Sequence, residues 1–414
     1  MIIKRYLDFL LDHPEINDKM LLVAGPRQCG KTTLAKGWLN RAGLDDFYFN
    51  WDTQAVKKLF RQDPCFFESK LRLQKKRSRV VLDEIHKTSG WKNLLKGYFD
   101  EFSTTADFLV TGSARLDFLR TSGDSLAGRH HMLHMFPLTL PEVVPTKKFS
   151  INSLQTIDLE KLANLSFDAS ASNDALDAFL NFSGFPEPFT KHSARSYRLW
   201  SKEYFEPLIK EDLRDLSRVT DILRVEQTIE LLETRIGSPL SLNSLREDLQ
   251  CSHDAVKAVI MALEKLYLIV SIRPWSKHVK NSLRKERKVY FLDWCRCQSE
   301  GARFENFVAI QLMTFLQTVS DSGLGTGELT YLRDKQKNEV DFLLIFNKKP
   351  FLLVEAKTTE QQPSKSIFHF AEQFPNTPAI QIVRTPNVFK KSDSILVTSA
   401  DRLIYYLWSL FSGK

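Results

Sequence analysis

The segment Gly25-Pro26-Arg27-Gln28-Cys29-Gly30-Lys31-Thr32, followed by Thr33, combines residue types that could hold a phosphate chain. It reads G-x-x-x-x-G-K-[ST], lies directly after the apolar run Met20 to Ala24, and leads into the helix-compatible stretch TLAKGWL. A glycine-rich turn can aim backbone N–H groups at dense negative charge, while the start of the helix adds the positive end of its dipole. Lys31 is expected to neutralise the β- and γ-phosphates and Thr32 to ligate magnesium. Thr33 would pack the helix or add a phosphate contact. Further on, Arg-Val-Val-Leu-Asp83-Glu84 is an apolar strand ending in two acids. Acids in a buried strand are costly without a partner, so Asp83 is expected on the magnesium side and Glu84 as the general base that polarises the attacking water. The alternative is an Asp-Glu pair that only caps the next helix.

The strand ending FLVTGSAR places Thr111 and Ser113 where a strand lying between the two motif strands would deliver hydroxyls to the γ-phosphate; a plain turn at Gly112 is the other reading. In Ser-Leu-Ala-Gly-Arg129 a guanidinium is available to stabilise transition-state charge, in cis or in trans, with Arg115 and Arg120 as competitors and a plain surface arginine as the other reading. Trp91 and Lys92 read as helix packing. His86 and the trio His130, His131 and His134 lack metal-ligand spacing with other ligands. Asn347-Lys-Lys-Pro is not a guanine-reading N-K-x-D, so the expected nucleotide is ATP.

These residues need a scaffold of parallel strands and crossover helices. Apolar runs at residues 20–24, 47–51, 80–83, 108–111 and near 132–136 alternate with helical patterns, as such a sheet requires. From about Pro145 to Ala175 the composition turns polar, and a mainly helical middle follows. Within it, a short helix, a turn, a second helix capped by Ser252 and a β-like LIVSI follow the order of a winged helix-turn-helix. The second helix offers a DNA groove little beyond His253, Lys257 and Lys265, against Asp254 and Glu264.

The chain has 414 residues, 43% of them hydrophobic and 26% charged, which fits two to three globular domains of roughly 150 residues each. Disordered, collagenous and disulfide-scaffold classes are excluded. Cys29, Cys65, Cys251, Cys295 and Cys297 contain no C-x-x-C pair, so neither a zinc site nor a disulfide frame is expected. No run of about 18 apolar residues occurs, and Asp8, Asp12 and Glu15 interrupt the start, so a cytoplasmic protein with no membrane partner is expected. The net charge of +8 includes two basic clusters, Lys70 to Arg79 and Arg273 to Lys288. They read either as solvated faces or as nucleic-acid contacts.

At these residues the chain resembles predicted bacterial and archaeal AAA-type ATPases that join a P-loop domain to a C-terminal domain of unknown function. GPRQCGKTTL, LDEIHKTSGW, VTGSARLD, SLAGR, PLTLPE, SGFPEPF, VYFLDW, RFENFV, NEVDF and VEAK follow one another in the order of that family. The resemblance implies ATP and magnesium as cofactors and functional positions at Lys31, Thr32, Asp83, Glu84, Ser113 and Arg129. It also implies a restriction-endonuclease-like C-terminal core. The expected architecture is a P-loop α/β domain with a parallel sheet (residues 1–145), a helical linker or lid (146–222), a winged helix-turn-helix (223–288) and an α/β restriction-endonuclease-like domain (289–414).

The residues support that last domain independently. Asp341 begins one strand, and Glu355 and Lys357 end the next, on one face by alternation. Two carboxylates and a lysine suit phosphodiester hydrolysis. The acids would hold magnesium, the lysine would orient water, and Glu305 on the preceding amphipathic helix would complete the metal set. The spelling Val-Asp341 and Glu355-Ala-Lys357 resembles the PD-(D/E)-x-K nuclease pattern; a nuclease-like core that only binds or docks, and a charged sheet edge, are the alternatives. Three functions stay open at this point. One is an ATPase coupling nucleotide state to its C-terminal domains, acting on DNA, a protein partner or a second copy. Another is an ATP-regulated nuclease, and the third is a nucleotide-gated binding switch with slow hydrolysis.

Overall fold

The computed structural model describes residues 3–112, 126–145, 153–213, 221–276, 286–359 and 362–411. Ser113, Arg115 and Arg120, and the basic residues Lys277, Lys280, Arg284 and Lys285, lie outside these residues. The chain divides into two compact units, Met1–Phe136 and Pro137–Lys414.

In the first unit the elements are α1 (Leu7–Leu11), β1 (Met20–Ala24), α2 (Lys31–Asn40), β2 (Tyr48–Asn50), α3 (Gln54–Gln62), α4 (Glu68–Arg72), β3 (Ser78–Asp83), α5 (Trp91–Phe102), β4 (Ala106–Thr111) and β5 (His130–His134). The strands form a parallel sheet in the order β2-β3-β4-β1-β5. β1, buried along its whole length, lies inside this sheet. Helix α5 turns Leu95, Tyr98 and Phe102 inward at helical spacing, and Tyr98 and Phe102 join Phe49, Phe67 and Phe108 in an aromatic core. β3 and β4 each begin two residues before the apolar runs at Val80 and Phe108. Ser78 pairs in register with Ala106, and the Arg79 guanidinium lies 4.7 Å over the Trp38 ring and bonds Asp12 at 2.7 Å, so polar residues are held in strand.

The second unit opens with helices α6 (Leu140–Val143), α7 (Leu159–Ala163), α8 (Ala169–Phe182), α9 (Pro186–Lys191), α10 (Ala194–Pro207) and α11 (Ile222–Glu233). Next come β6 (Pro239–Leu240), α12 (Leu242–Asp248), α13 (His253–Lys265), β7 (Ile269–Pro274) and β8 (Arg287–Phe291). The chain closes with α14 (Glu300–Asp321), β9 (Gly327–Arg333), β10 (Glu339–Phe346), β11 (Lys349–Lys357), α15 (Lys365–Gln373), β12 (Ala379–Val383), β13 (Phe389–Ser392), β14 (Ile395–Ser399) and α16 (Ala400–Ser409).

Among the described residues these strands form one mixed sheet, ordered β13-β14-β12-β11-β10-β9-β7-β8-β6. The hairpin of β10 and β11 turns at Asn347 and Lys348, both with positive φ as a type I′ connection requires. β7 and β8 pair antiparallel after the helix-turn-helix, but they do not end there as a free wing. Arg273 and Pro274 of β7 pair in parallel with Thr330 and Tyr331 of β9. The sequence boundary between residues 288 and 289 therefore falls inside β8, in a sheet that runs through both proposed modules.

Leu332, Val340, Leu343, Ile345, Leu353, Ile367 and Phe370 fill one core of this sheet. Leu343 is fully buried in the central strand β10, and its truncation leaves a cavity there. Leu343→Ala is expected to lower the stability of the C-terminal unit by about 2–5 kcal/mol, read from its urea transition.

Candidate functional site

The site is assembled where the parallel strands of the first unit end. The chain leaves β1 through Gly25, whose φ is 153° and whose missing side chain matters: a Cβ there would lie 2.1 Å from the Met135 carbonyl oxygen. Met135 in turn donates its N–H to the Ala24 carbonyl at 2.8 Å, so the loop is packed against the end of β5. Gln28 and Gly30 take left-handed φ values of 57° and 103°, which curls the loop before α2 starts at Lys31. Cys29 is fully buried, with its thiol 3.5 Å from the Met135 carbonyl. The buried Lys31 ammonium donates to the carbonyls of Gly25 at 3.0 Å and Pro26 at 2.5 Å. Thr32 and Thr33 are both exposed at the helix start, and Arg27 is half-buried.

Asp83 is the hub of the site. It is 2% exposed and accepts hydrogen bonds from three hydroxyls, Thr32 at 3.0 Å, Tyr48 and Thr111. Strand order explains the convergence: β3 lies beside β2 and β4, with Asn50, Asp83 and Thr111 in lateral register and Thr111 opposite Val23 of β1. Thr111 is therefore delivered between the two motif strands. Charge-assisted bonds of this kind offset the cost of burying a carboxylate. Tyr48 gives no signal in FYFNW, where it reads as one more aromatic of a buried strand. Burial and the Asp83 carboxylate push its phenol above the ordinary tyrosine range, which keeps it a donor.

Glu84 follows with a φ of 60°, uncommon for a non-glycine residue, and its N–H is held by the Thr111 carbonyl at 2.9 Å. Its carboxylate lies 3.4 Å from His86 Nε2 and 3.6 Å from Lys87 Nζ, and Lys87 also pairs with Asp52. Burial pushes Glu84 above the usual carboxylate range, against the opposing pull of Lys87. Arg5 also belongs to the site and carries no motif. Its buried guanidinium donates to the Cys29 and Phe136 carbonyls, each at 2.7 Å, and so fastens the phosphate loop to the chain leaving β5.

Arg129 is not brought to the loop. Its carbonyl accepts the N–H of Met20, which places it at the amino end of β1. The loop leaves the carboxyl end, about 16 Å away along a strand of this length. The guanidinium is held by both carboxylate oxygens of Asp100, at 2.7 and 3.2 Å. Ser113 lies outside the described residues.

In the second unit, Glu305 from α14, Asp341 from β10 and Glu355 and Lys357 from β11 do come together, but with an additional group. The fully buried Lys288 of β8 places its ammonium 3.3 Å from Glu305, 2.8 Å from Glu339 and 3.4 Å from Asp341. Tyr290 donates to Glu305 at 2.8 Å, and the Ala356 N–H donates to Asp341 at 3.0 Å. Glu355 is engaged by Lys357 at 3.0 Å and by Ser364 at 2.9 Å. Burial opposes the charge on Lys288, but Glu305, Asp341 and Glu339 outweigh it and raise the lysine above its ordinary range. Burial and Asp341 push Glu305 up to about 7.

Among the described residues no group of three or more His, Cys, Asp or Glu is placed to hold a metal ion. At Glu305, Asp341, Glu355 and Lys357, expected from the sequence as a second metal site, the Lys288 ammonium lies against Glu305 and Asp341 and the Lys357 ammonium against Glu355. The sequence places Lys288 in a basic run that reads as a solvated face or a nucleic-acid contact. Alternation along β8 instead puts it on the same side as Tyr290.

Residues 17–144 match the family model of the AAA domain, while residues 173–295 and 300–403 match two domains of unknown function, DUF8612 and DUF4143. The phosphate loop, the acidic strand end and the parallel sheet all lie within the residues that are similar to an AAA domain. An uncharacterized protein of Mycobacterium tuberculosis is 21% identical over 400 residues, a span of 93% of this chain and 81% of its own. ORC1 of Aeropyrum pernix, solved in complex with DNA, is 15% identical, with 75% of this chain and 93% of that one covered at a TM-score of 0.29. AMPPCP-bound DnaA from Aquifex aeolicus is also 15% identical, with coverages of 64% and 90% and a TM-score of 0.33. Among the described residues no helix is long and apolar enough to cross a membrane.

The raised pKa of Glu84 has a consequence for stability. Folding favours its protonated form, and that contribution is lost as pH rises through the raised pKa. Glu84→Gln, a permanent mimic of the protonated state, should therefore melt above the wild type at neutral pH. Its advantage should shrink as pH falls towards the ordinary carboxylate range, as thermal melts across pH would show.

Proposed function

We propose that the chain is a magnesium-dependent ATPase of the AAA type whose nucleotide state is coupled to its C-terminal modules. The observation that carries this reading is the convergence of Thr32, Thr111 and Asp83 at the strand ends, with Glu84 next in the chain. Thr32 and Asp83 are hard oxygen donors 3.0 Å apart, a set suited to magnesium. Bound there, the ion would neutralise charge on the phosphates. Lys31 exchanges the Gly25 and Pro26 carbonyls for β- and γ-phosphate oxygens, and the helix start with its loop N–H groups binds the remaining charge. Glu84 accepts a proton from the attacking water, a role its raised pKa suits. Thr111, with Ser113 beyond it, orients the γ-phosphate.

The position of Arg129 favours a specific refinement. Located at the amino end of β1, it serves a neighbouring copy of the chain rather than its own site, and an isolated chain is a nucleotide-gated switch that hydrolyses slowly. In the C-terminal unit, the helix-turn-helix and a sheet with nuclease-like placement of Asp341, Glu355 and Lys357 receive the nucleotide signal, on DNA or on a protein. The exposed residues of α13 mix His253, Lys257 and Lys265 with Asp254 and do not choose between them.

Glu84→Gln should keep ATP binding and lose about 10²- to 10⁴-fold in turnover, whereas Lys31→Ala should lose binding, both measured with magnesium and with or without duplex DNA. Arg129→Ala should be slow alone at high protein concentration, and mixing it with Glu84→Gln should restore turnover at the mixed interfaces. Turnover by Glu84→Gln at the native rate would contradict the hydrolytic assignment. No recovery on mixing would contradict the trans assignment of Arg129.

A further inference from the structure

The C-terminal carboxylate cluster holds a cation of its own. Glu305, Glu339, Asp341 and Glu355 lie around or beside three basic groups: Lys288, Lys357 and Arg333, the last paired with Glu339. Lys288 has no solvent exposure, and besides its three carboxylates its ammonium sits 5.5 Å from the centre of the Tyr331 ring, which adds a cation–π contact. Four potential negative charges thus face three positive ones, and a divalent ion would have to displace an ammonium or share its ligands with it. Either is opposed by charge repulsion in a poorly hydrated site. The lysine also arrives from a different part of the chain than its partners. β8 follows the helix-turn-helix, whereas Glu305, Glu339 and Asp341 belong to α14 and β10.

We propose that Lys288 is the resident cation of this cluster, an ammonium where a metal-dependent nuclease would hold a divalent ion. The cluster is then a metal-free lock that fastens β8 to α14 and β10, and Lys288→Met converts it into a divalent-cation site. The lock gives the helix-turn-helix segment a rigid connection to the C-terminal sheet without any catalytic use of Asp341 or Glu355. Lysine suits such a joint, because its long apolar stem tolerates burial and its head is a compact point charge of three donors that can serve several carboxylates at once.

The test uses the nucleotide-free full-length chain titrated with Mn²⁺, followed by calorimetry and by thermal melting. Wild type and Asp341→Asn should titrate alike, because the cluster takes up no metal. Lys288→Met should melt lower than the wild type without metal, gain saturable Mn²⁺ binding with a rise in Tm, and lose both in Lys288→Met/Asp341→Asn. Lys288→Arg, which keeps a cation, should take up no Mn²⁺ at the cluster. If Lys288→Met does not fold, Lys288→Met/Glu339→Gln removes one carboxylate together with the ammonium and gives the same readout. Wild-type Mn²⁺ binding or nicking of supercoiled DNA that Asp341→Asn abolishes would overturn the proposal. Failure of the folded lysine-free variant to bind Mn²⁺ would also overturn it.

Discussion

The first unit depends on one carboxylate held by three hydroxyls. Asp83 has almost no access to water, and a carboxylate in that position is stable only where donors converge on it. Thr32 comes from the phosphate loop, Tyr48 from the edge strand and Thr111 from the strand between β3 and β1, so the acid ties together helix α2 and the ends of three strands. The same bonds preorganise the donors that ATP hydrolysis would need. A group that holds the sheet end together is also the group that fixes the position of the Thr32 hydroxyl, which links stability and chemistry at one residue.

The loop itself is held from two sides. Gly25 lies so close to the Met135 carbonyl that no side chain fits, and Arg5 fastens the Cys29 carbonyl from the opposite end of the domain's sequence. Backbone carbonyls receive the Lys31 ammonium, and a phosphate oxygen, charged where a carbonyl is neutral, would make the stronger bond. The second unit uses charge differently. Its buried cation and carboxylates satisfy each other across elements distant in sequence, which turns a cluster of catalytic appearance into a structural joint.

Much of the first unit is legible in the sequence because the phosphate loop and the acidic strand place their chemistry in consecutive residues. The five strands are visible as apolar runs, and Asp83, Glu84 and Thr111 follow from reading where those runs end. Tyr48 and Arg5 are not legible, since their partners are set by strand order and by a contact between the two ends of the first unit. A tyrosine in FYFNW looks the same whether its hydroxyl is used or not. Arg129 is legible as a type but not as a place: strand β5 runs parallel to β1, so the residue preceding it must lie at the end opposite the loop. Lys288 is hidden because a charge run is averaged over neighbours, whereas a strand sorts them by alternation. β9 and β13 leave no distinct signal either, since β9 mixes Glu, Thr and Arg into an apolar pattern and β13 is polar after its first residue.

The central claim, that Asp83 organises a magnesium–ATP site, is tested most directly by ATP affinity and turnover in Asp83→Asn, with and without magnesium. Metal-free ATP binding should survive through Lys31 and the loop, while the gain in affinity on adding magnesium and all measurable turnover should disappear. Retention of magnesium-dependent turnover near the wild-type rate would contradict it.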